Sequence, residues 1–186
     1  LRRYASDAPA AGASIAAVPL LGPRSPGTVT VDDARMVVRG EWDGVAFTLV
    51  LVLADATPAW FWHLRLENRG ATPVTVDAVH AQDVALAPYG AIRMNEYYVS
   101  QYVDHTPLAH PERGWVLASR QNLAMAGRHP WMLVGALGRG VAFATDALQL
   151  HGLATRAGTA PAGLVEPALP SERCQREHAM AVIQDE

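Results

Sequence analysis

Strand-length apolar runs separated by Gly, Pro, Asp and Asn dominate the chain. Val45 to Leu53 is the strongest, closed by Ala54-Asp55-Ala56-Thr57-Pro58. So apolar a run predicts a strand buried on both faces. Trp60 to Glu67 alternates instead. Trp60, Trp62, Leu64 and Leu66 share one face, and Phe61, His63, Arg65 and Glu67 the other. The turn residues Asn68 to Pro73 follow, then a second alternating run from Val74 to Asp83, which predicts an antiparallel hairpin with one wet face. Thr28 to Val31 and Ala34 to Val38 read as short strands around the turn residues Asp32-Asp33.

The stretch from Arg93 to Gln121 fits no such simple pattern. Read as a strand, Asn95 to Val103 puts Asn95, Tyr97, Val99, Gln101 and Val103 on one side. Glu96, Tyr98, Ser100, Tyr102 and Asp104 then lie on the other, and neither side is plainly apolar. Thr106 to Gly114 reads as a loop and Trp115 to Asn122 as a strand. Trp131 to Leu137 and Val141 to Thr145 read as a second hairpin around Gly138-Arg139-Gly140. Gln175 to Ile183 is a strand or a short helix. No helix of twelve or more residues is predicted. The expected fold is all-β: a large, twisted, antiparallel β-sandwich over residues 28–186, after an irregular lead-in over residues 1–27 rich in Ala, Pro, Gly and Ser.

Composition narrows the function. The 186 residues suit one globular domain burying about 70% of its unfolded surface. A net charge of −3 argues against nucleic acid as a partner. All fifteen basic residues are Arg, which with the abundant Ala suggests coding bias rather than a phosphate site. The one cysteine, Cys174, allows no internal disulfide and no thiolate zinc cluster. No apolar run reaches the ~20 residues that span a bilayer, and Asp7 and Pro9 interrupt any leader, so a cytoplasmic location is expected. The chain starts at Leu1 rather than Met, and it is expected to be a piece of a longer protein.

Chemistry-bearing residues are plentiful but do not assemble into a catalytic motif. Glu96 and Asp104 would lie about 26 Å apart on one strand, too far for a glycosidase pair. Asp83 could approach either only from a neighbouring strand. The histidines show no metal-binding spacing, and spread-out histidines are more often hydrogen-bonded structural groups. Ser100 and Ser119 lack a nucleophile elbow, and Cys174 with His178 is an ordinary spacing. No catalytic residue, metal or cofactor is therefore expected. What remains is Arg93, Asn95, Glu96, Gln101, Tyr102, Asp104, His105, Arg120, Gln121 and Trp131. Planar polar groups and aromatic rings suit sugar recognition. They suit equally a buried network in which Arg93 or Arg120 neutralises Glu96 or Asp104.

The ordered series Gln82-Asp83-Val84, Arg93 to His105, Ser119-Arg120-Gln121-Asn122, Pro130-Trp131 and Ala144-Thr145-Asp146 resembles the N-terminal region of inverting glycoside phosphorylases. It is most like the 1,2-β-oligoglucan phosphorylases and the phosphorylase-like part of cyclic β-1,2-glucan synthases, with the cellobiose and chitobiose phosphorylases more distant. The likeness covers roughly residues 60–150. It implies a mutarotase-like supersandwich placed before a helical barrel. That barrel carries the general acid and the site for inorganic phosphate, a co-substrate of the parent enzyme. The resemblance further implies a domain that is non-catalytic alone, supports the barrel and substrate entrance, and takes part in a homodimer. A β-glucan or oligosaccharide is the implied substrate, and a synthase-like parent would be associated with the inner membrane. Three alternatives stand beside this reading: a stand-alone carbohydrate-binding module, an aldose mutarotase-like enzyme using His80 with Glu96, and a structural interface domain with an exposed apolar patch.

Overall fold

The computed structural model describes residues 1–5, 14–32, 35–152 and 161–186. Among them are twelve strands and three short helices, arranged as two sheets in an open, sandwich-like architecture. The all-β class therefore holds. No described helix is long and apolar enough to cross a membrane.

The smaller sheet is a meander of β3 (Thr28–Val31), β4 (Arg35–Trp42), β5 (Val45–Leu53) and β6 (Trp60–Asn68). Thr28 to Val31 is a strand as predicted. Asp33 and Ala34, which the predicted turn and next strand include, lie outside the described residues. The alternation of β6 holds: Trp62, Leu64 and Leu66 are half-buried, while Phe61, His63, Arg65 and Glu67 are exposed. The run in β5 is buried at Val45, Ala46 and Phe47 but opens progressively towards Leu53.

The larger sheet runs β10 (Trp131–Gly135), β9 (Gly114–Gln121), β11 (Gly140–Asp146), β12 (Ala179–Asp185), β7 (Thr75–Asp83), β1 (Arg2–Tyr4) and β2 (Ile15–Ala17), with β8 (Val103–His110) also paired to β9. Two predicted hairpins are overturned here. β6 pairs with β5 while β7 crosses to the other sheet, between β1 and β12. β10 pairs back onto β9, and β11 pairs with β12. Local alternation and turn residues specify strands, but not which strand competes best for each edge. The lead-in is corrected too, because β1 and β2 are paired strands.

Strand β12 is the centre of the core. Ala179, Ala181 and Ile183 pack on one side with Val84, Val103, Leu117 and Phe143. Met180 and Val182 pack on the other with Ala142, Ala144, Leu150 and Leu169. A strand buried on both faces loses its alternation, which is why its residues read as strand or helix from sequence. β9 touches β11 through one parallel bridge, Gly114 to Gly140. A Cβ on Gly114, whose φ is +68°, would lie 2.1 Å from the Gly140 carbonyl oxygen. Only glycine allows both this backbone and this approach. From that pinch β8, β9 and β10 turn so that Leu117, Met132 and Val134 join the cluster around Phe143. Trp115 meets Phe143 edge-on at 4.9 Å between ring centroids.

The stretch from Asn95 to Val103, expected as a strand, is mostly helical. α1 (Tyr89–Ser100) is broken at Asn95, whose φ of −163° and ψ of 79° are extended. Asn95 Oδ1 accepts from the Tyr98 backbone N–H at 3.0 Å, capping a second helical turn. Strand starts only at Val103 and continues to His110, through residues predicted as loop. β8 lies at an edge with β9 as its partner, so Pro107 removes no essential ladder bond.

A buried ion pair holds the sheet margin. Arg2, fully buried, donates from Nε to Asp77 Oδ1 at 2.7 Å and from Nη2 to Asp77 Oδ2. It also donates to the Glu166 and Pro167 carbonyls, beyond α3 (Ala162–Val165). Tyr4 and Gln184 donate to the same Asp77 carboxylate at 2.6 and 2.9 Å. Breaking one side of such a pair strands the other charge out of water. Asp77→Ala should therefore cost about 3–5 kcal/mol in chemical denaturation, and the Arg2→Met/Asp77→Leu double variant should recover much of it. Gly114→Ala should destabilise by more than about 2 kcal/mol in the same measurement, because backbone must move.

Candidate functional site

The segment before β12 ties the candidate residues together. Asp146 caps α2 (Ala147–His151) through Oδ1, and its Oδ2 accepts from the backbone N–H groups of Arg176 and Glu177. Ala147 N–H donates to the His178 carbonyl. Gln175 donates to the carbonyls of Gln101 and Val103, and Gln101 donates to the Glu177 carbonyl at 2.6 Å. The C-terminal end of α1 is thereby stitched to residues 175–178, and Gln101 is a strut in that seam.

Glu96, first residue after the Asn95 cap, is presented to solvent at this seam. His178 Nε2 lies 3.8 Å from Glu96 Oε1. Asp83, at the end of β7, brings a third ligand atom, and all three lie within 4.8 Å of one another. The imidazole beside Glu96 is thus His178, not His80, and the neighbouring carboxylate is Asp83, not Asp104. On the far side of its ring, His178 Nδ1 is 3.2 Å from Ser100 Oγ. Burial pushes the His80 imidazole below its ordinary range.

Asp104, Arg120 and Trp131 form a second group. They stand in register across β8, β9 and β10, so all three project from one face. Trp131 is 59% exposed, and the Arg120 guanidinium lies 5.7 Å from the centre of its ring. Asp104 is paired with Arg173. Neither Arg93 nor Arg120 forms an ion pair with Glu96 or Asp104, contrary to expectation. Tyr102 packs edge-on against Tyr98 at 5.1 Å, its hydroxyl donating to that of Tyr98. Arg93 is exposed on α1.

Gln121 and His105 belong to the interior. Gln121 is fully buried, its amide donating to the Ala85 and Val99 carbonyls and accepting from Leu123 N–H. His105 is 3% exposed and shares a 2.9 Å hydrogen bond with Ser119 Oγ. That Ser–His pair is closed to substrate, since Ser119 is also fully buried. Among the described residues, His105 Nε2 has no hydrogen-bond partner. Of the predicted residues, these two fit the buried-network reading, while Asp104, Arg120 and Trp131 offer a surface. The residues that sequence reasoning left out of the site are Asp83, Ser100, Arg173 and His178. Asn95 followed by Glu96 is a helix-start signal that points to the α1 break and so to the exposure of Glu96.

Two concavities stand out among the described residues. One borders Trp115, Arg139 and Gly140, the other Tyr4, Asp43 and Thr75, and neither is lined by a predicted site residue.

This is an all-β domain with a row of charged and aromatic groups exposed across β8, β9 and β10. The chain belongs to the SOGP N-terminal domain family, which it matches over residues 9–186. It is 33% identical over 130 residues to the 1,2-beta-oligoglucan phosphorylase of Listeria innocua. That stretch takes in 70% of this chain and 12% of the relative's length.

Removal from water pushes the His105 imidazole down to about 4, with the Asp104 carboxylate only partly opposing. The unfolded chain takes up this proton near pH 6.5 and the folded chain only near 4. Stability should hold above pH 6.5, fall as pH drops towards 4 by about 3 kcal/mol, and level off below. Urea titrations of the His105→Phe variant should lack this component.

Proposed function

We propose that this chain is the non-catalytic N-terminal domain of a glycoside phosphorylase acting on β-1,2-linked glucans. Its role is to support a following helical barrel, shape the substrate entrance and contribute to a homodimer. The observation that carries this reading is the family match together with the small share of the relative's length that it covers. In this reading inorganic phosphate and the general acid belong to the barrel.

The smaller sheet supports a packing role. Val29, Val31, Leu53 and Trp60 share one face of it with Met36, Leu51 and Trp62, Val31 standing in register with those three and Leu53 with Trp60, and are 45%, 74%, 62% and 42% exposed. A contiguous apolar face of this kind marks a surface that another body covers. Here the rest of the parent protein is that body. The 186-residue chain should form no sugar phosphate from β-1,2-glucooligosaccharides and inorganic phosphate, whereas the full-length parent should. Turnover by the chain alone would overturn the proposal. Leu53→Asp should leave the isolated chain within about 1 kcal/mol of its stability, since Leu53 is exposed, but lower the soluble yield of the parent.

A second reading, direct contact with sugar, is favoured by the exposed row of Asp104, Arg120 and Trp131. An indole offers a flat apolar face to a pyranose, and the flanking charges offer hydrogen bonds to hydroxyls. Isothermal titration with sophorose and longer β-1,2-glucans, against cellobiose, tests it. Binding to the β-1,2 series should fall at least tenfold in Trp131→Ala. Absence of heat with any sugar would leave recognition to the barrel.

A further inference from the structure

We infer that Asp83, Glu96 and His178 form a binding site for a divalent first-row cation, with Zn²⁺ and Mn²⁺ the best matched. The inference does not rest on the proposed function.

Three elements converge there: the end of β7, the capped second turn of α1 and the residue that precedes β12. Their ligand atoms lie within 4.8 Å of one another. Tetrahedral ligands about 2.1 Å from a metal stand roughly 3.4 Å apart. The closing movement needed is a rotation of two exposed carboxylates, since Glu96 is 55% exposed and Asp83 is also exposed. One imidazole and two carboxylates leave positions for water, a donor set suited to Zn²⁺ and Mn²⁺.

The setting of His178 adds to the argument. Its Nδ1 lies 3.2 Å from Ser100 Oγ, which also reaches the Tyr97 carbonyl at 2.9 Å. With the ring proton on Nδ1, Nε2 turns a lone pair towards Glu96. Metal-binding histidines are held this way, their far nitrogen donating to a fixed acceptor. Ser100 is fully buried, so the acceptor is fixed.

Electrostatics is compatible with a cation there. Two carboxylates and an imidazole nitrogen face one another, and among the described residues no arginine, Arg93 one turn earlier on α1 included, pairs with either carboxylate. A metal ion between the three groups would neutralise the carboxylates, and so would a second ring proton that makes an imidazolium–carboxylate pair.

The experiment separates these. The chain, stripped with EDTA, is titrated calorimetrically with ZnCl₂ and MnCl₂, with MgCl₂ for comparison. One site per chain is expected. Glu96→Gln and His178→Ala should each weaken it at least tenfold, and Ser100→Ala about tenfold through loss of the ring's anchor. His63→Ala, an exposed histidine of the smaller sheet, should change nothing. Glu96→Gln, on the surface, keeps the test valid where His178→Ala does not fold by circular dichroism. Absence of saturable binding, or binding that survives Glu96→Gln, would overturn the site. So would an imidazole of His178, followed by NMR, that stays protonated above pH 7 in the presence of Zn²⁺.

Discussion

The larger sheet depends on keeping one guanidinium satisfied away from water. Arg2 is fully buried, and a cation there is tolerable only if its donors all find acceptors. Asp77 takes two of them, and carbonyls around the end of α3 take others. Gln184 closes the arrangement by donating to Asp77 and accepting from Leu169 N–H. The requirement fixes β1 against β7, the segment after α3 against the sheet margin, and the end of β12 against both. β1 has three residues and little apolar area of its own, so its place rests largely on this network.

From that margin the order passes inward through β12. Its two-sided burial joins both apolar clusters and sets where residues 175–178 must run. Those residues in turn hold the end of α1 by the exchanged bonds of Gln101 and Gln175. The Asn95 cap then decides which way Glu96 projects. A buried core strand thus positions a surface constellation through a chain of hydrogen bonds between side chains and backbone, and the groups it gathers come from segments far apart in sequence.

Two surfaces of different character result. On one face of β3 to β6 the exposed groups are aliphatic and indole, which suits packing against another body. Across β8, β9 and β10 and along α1 they are charged, amide and aromatic, which suits a polar ligand or a cation. Asp104 there is neutralised by Arg173, from a segment remote in sequence, rather than by Arg93 or Arg120.

Sequence by itself determined the class of fold and most of its strands. Alternation in β6 and the apolar run of β5 are local signals, because side chains of a strand face alternate ways whatever lies beyond. The quoted motifs also carried the family. Pairing was decided only in three dimensions: β6 and β7 look like a hairpin, yet β12, remote in sequence, takes the edge of β7. The candidate site divides along the same line. Trp131, Arg120 and Asp104 were legible as residues of the right chemistry. Gln121 and His105 carry the same chemistry and were drawn into the core. The meeting of Asp83, Glu96 and His178 was beyond reach, because a one-residue helix break at Asn95 and a strand pairing across ninety-odd positions, about Asp83 and Met180, place it. Spacing along a chain measures reach only within one element. Between elements, burial and hydrogen-bond satisfaction set the distance.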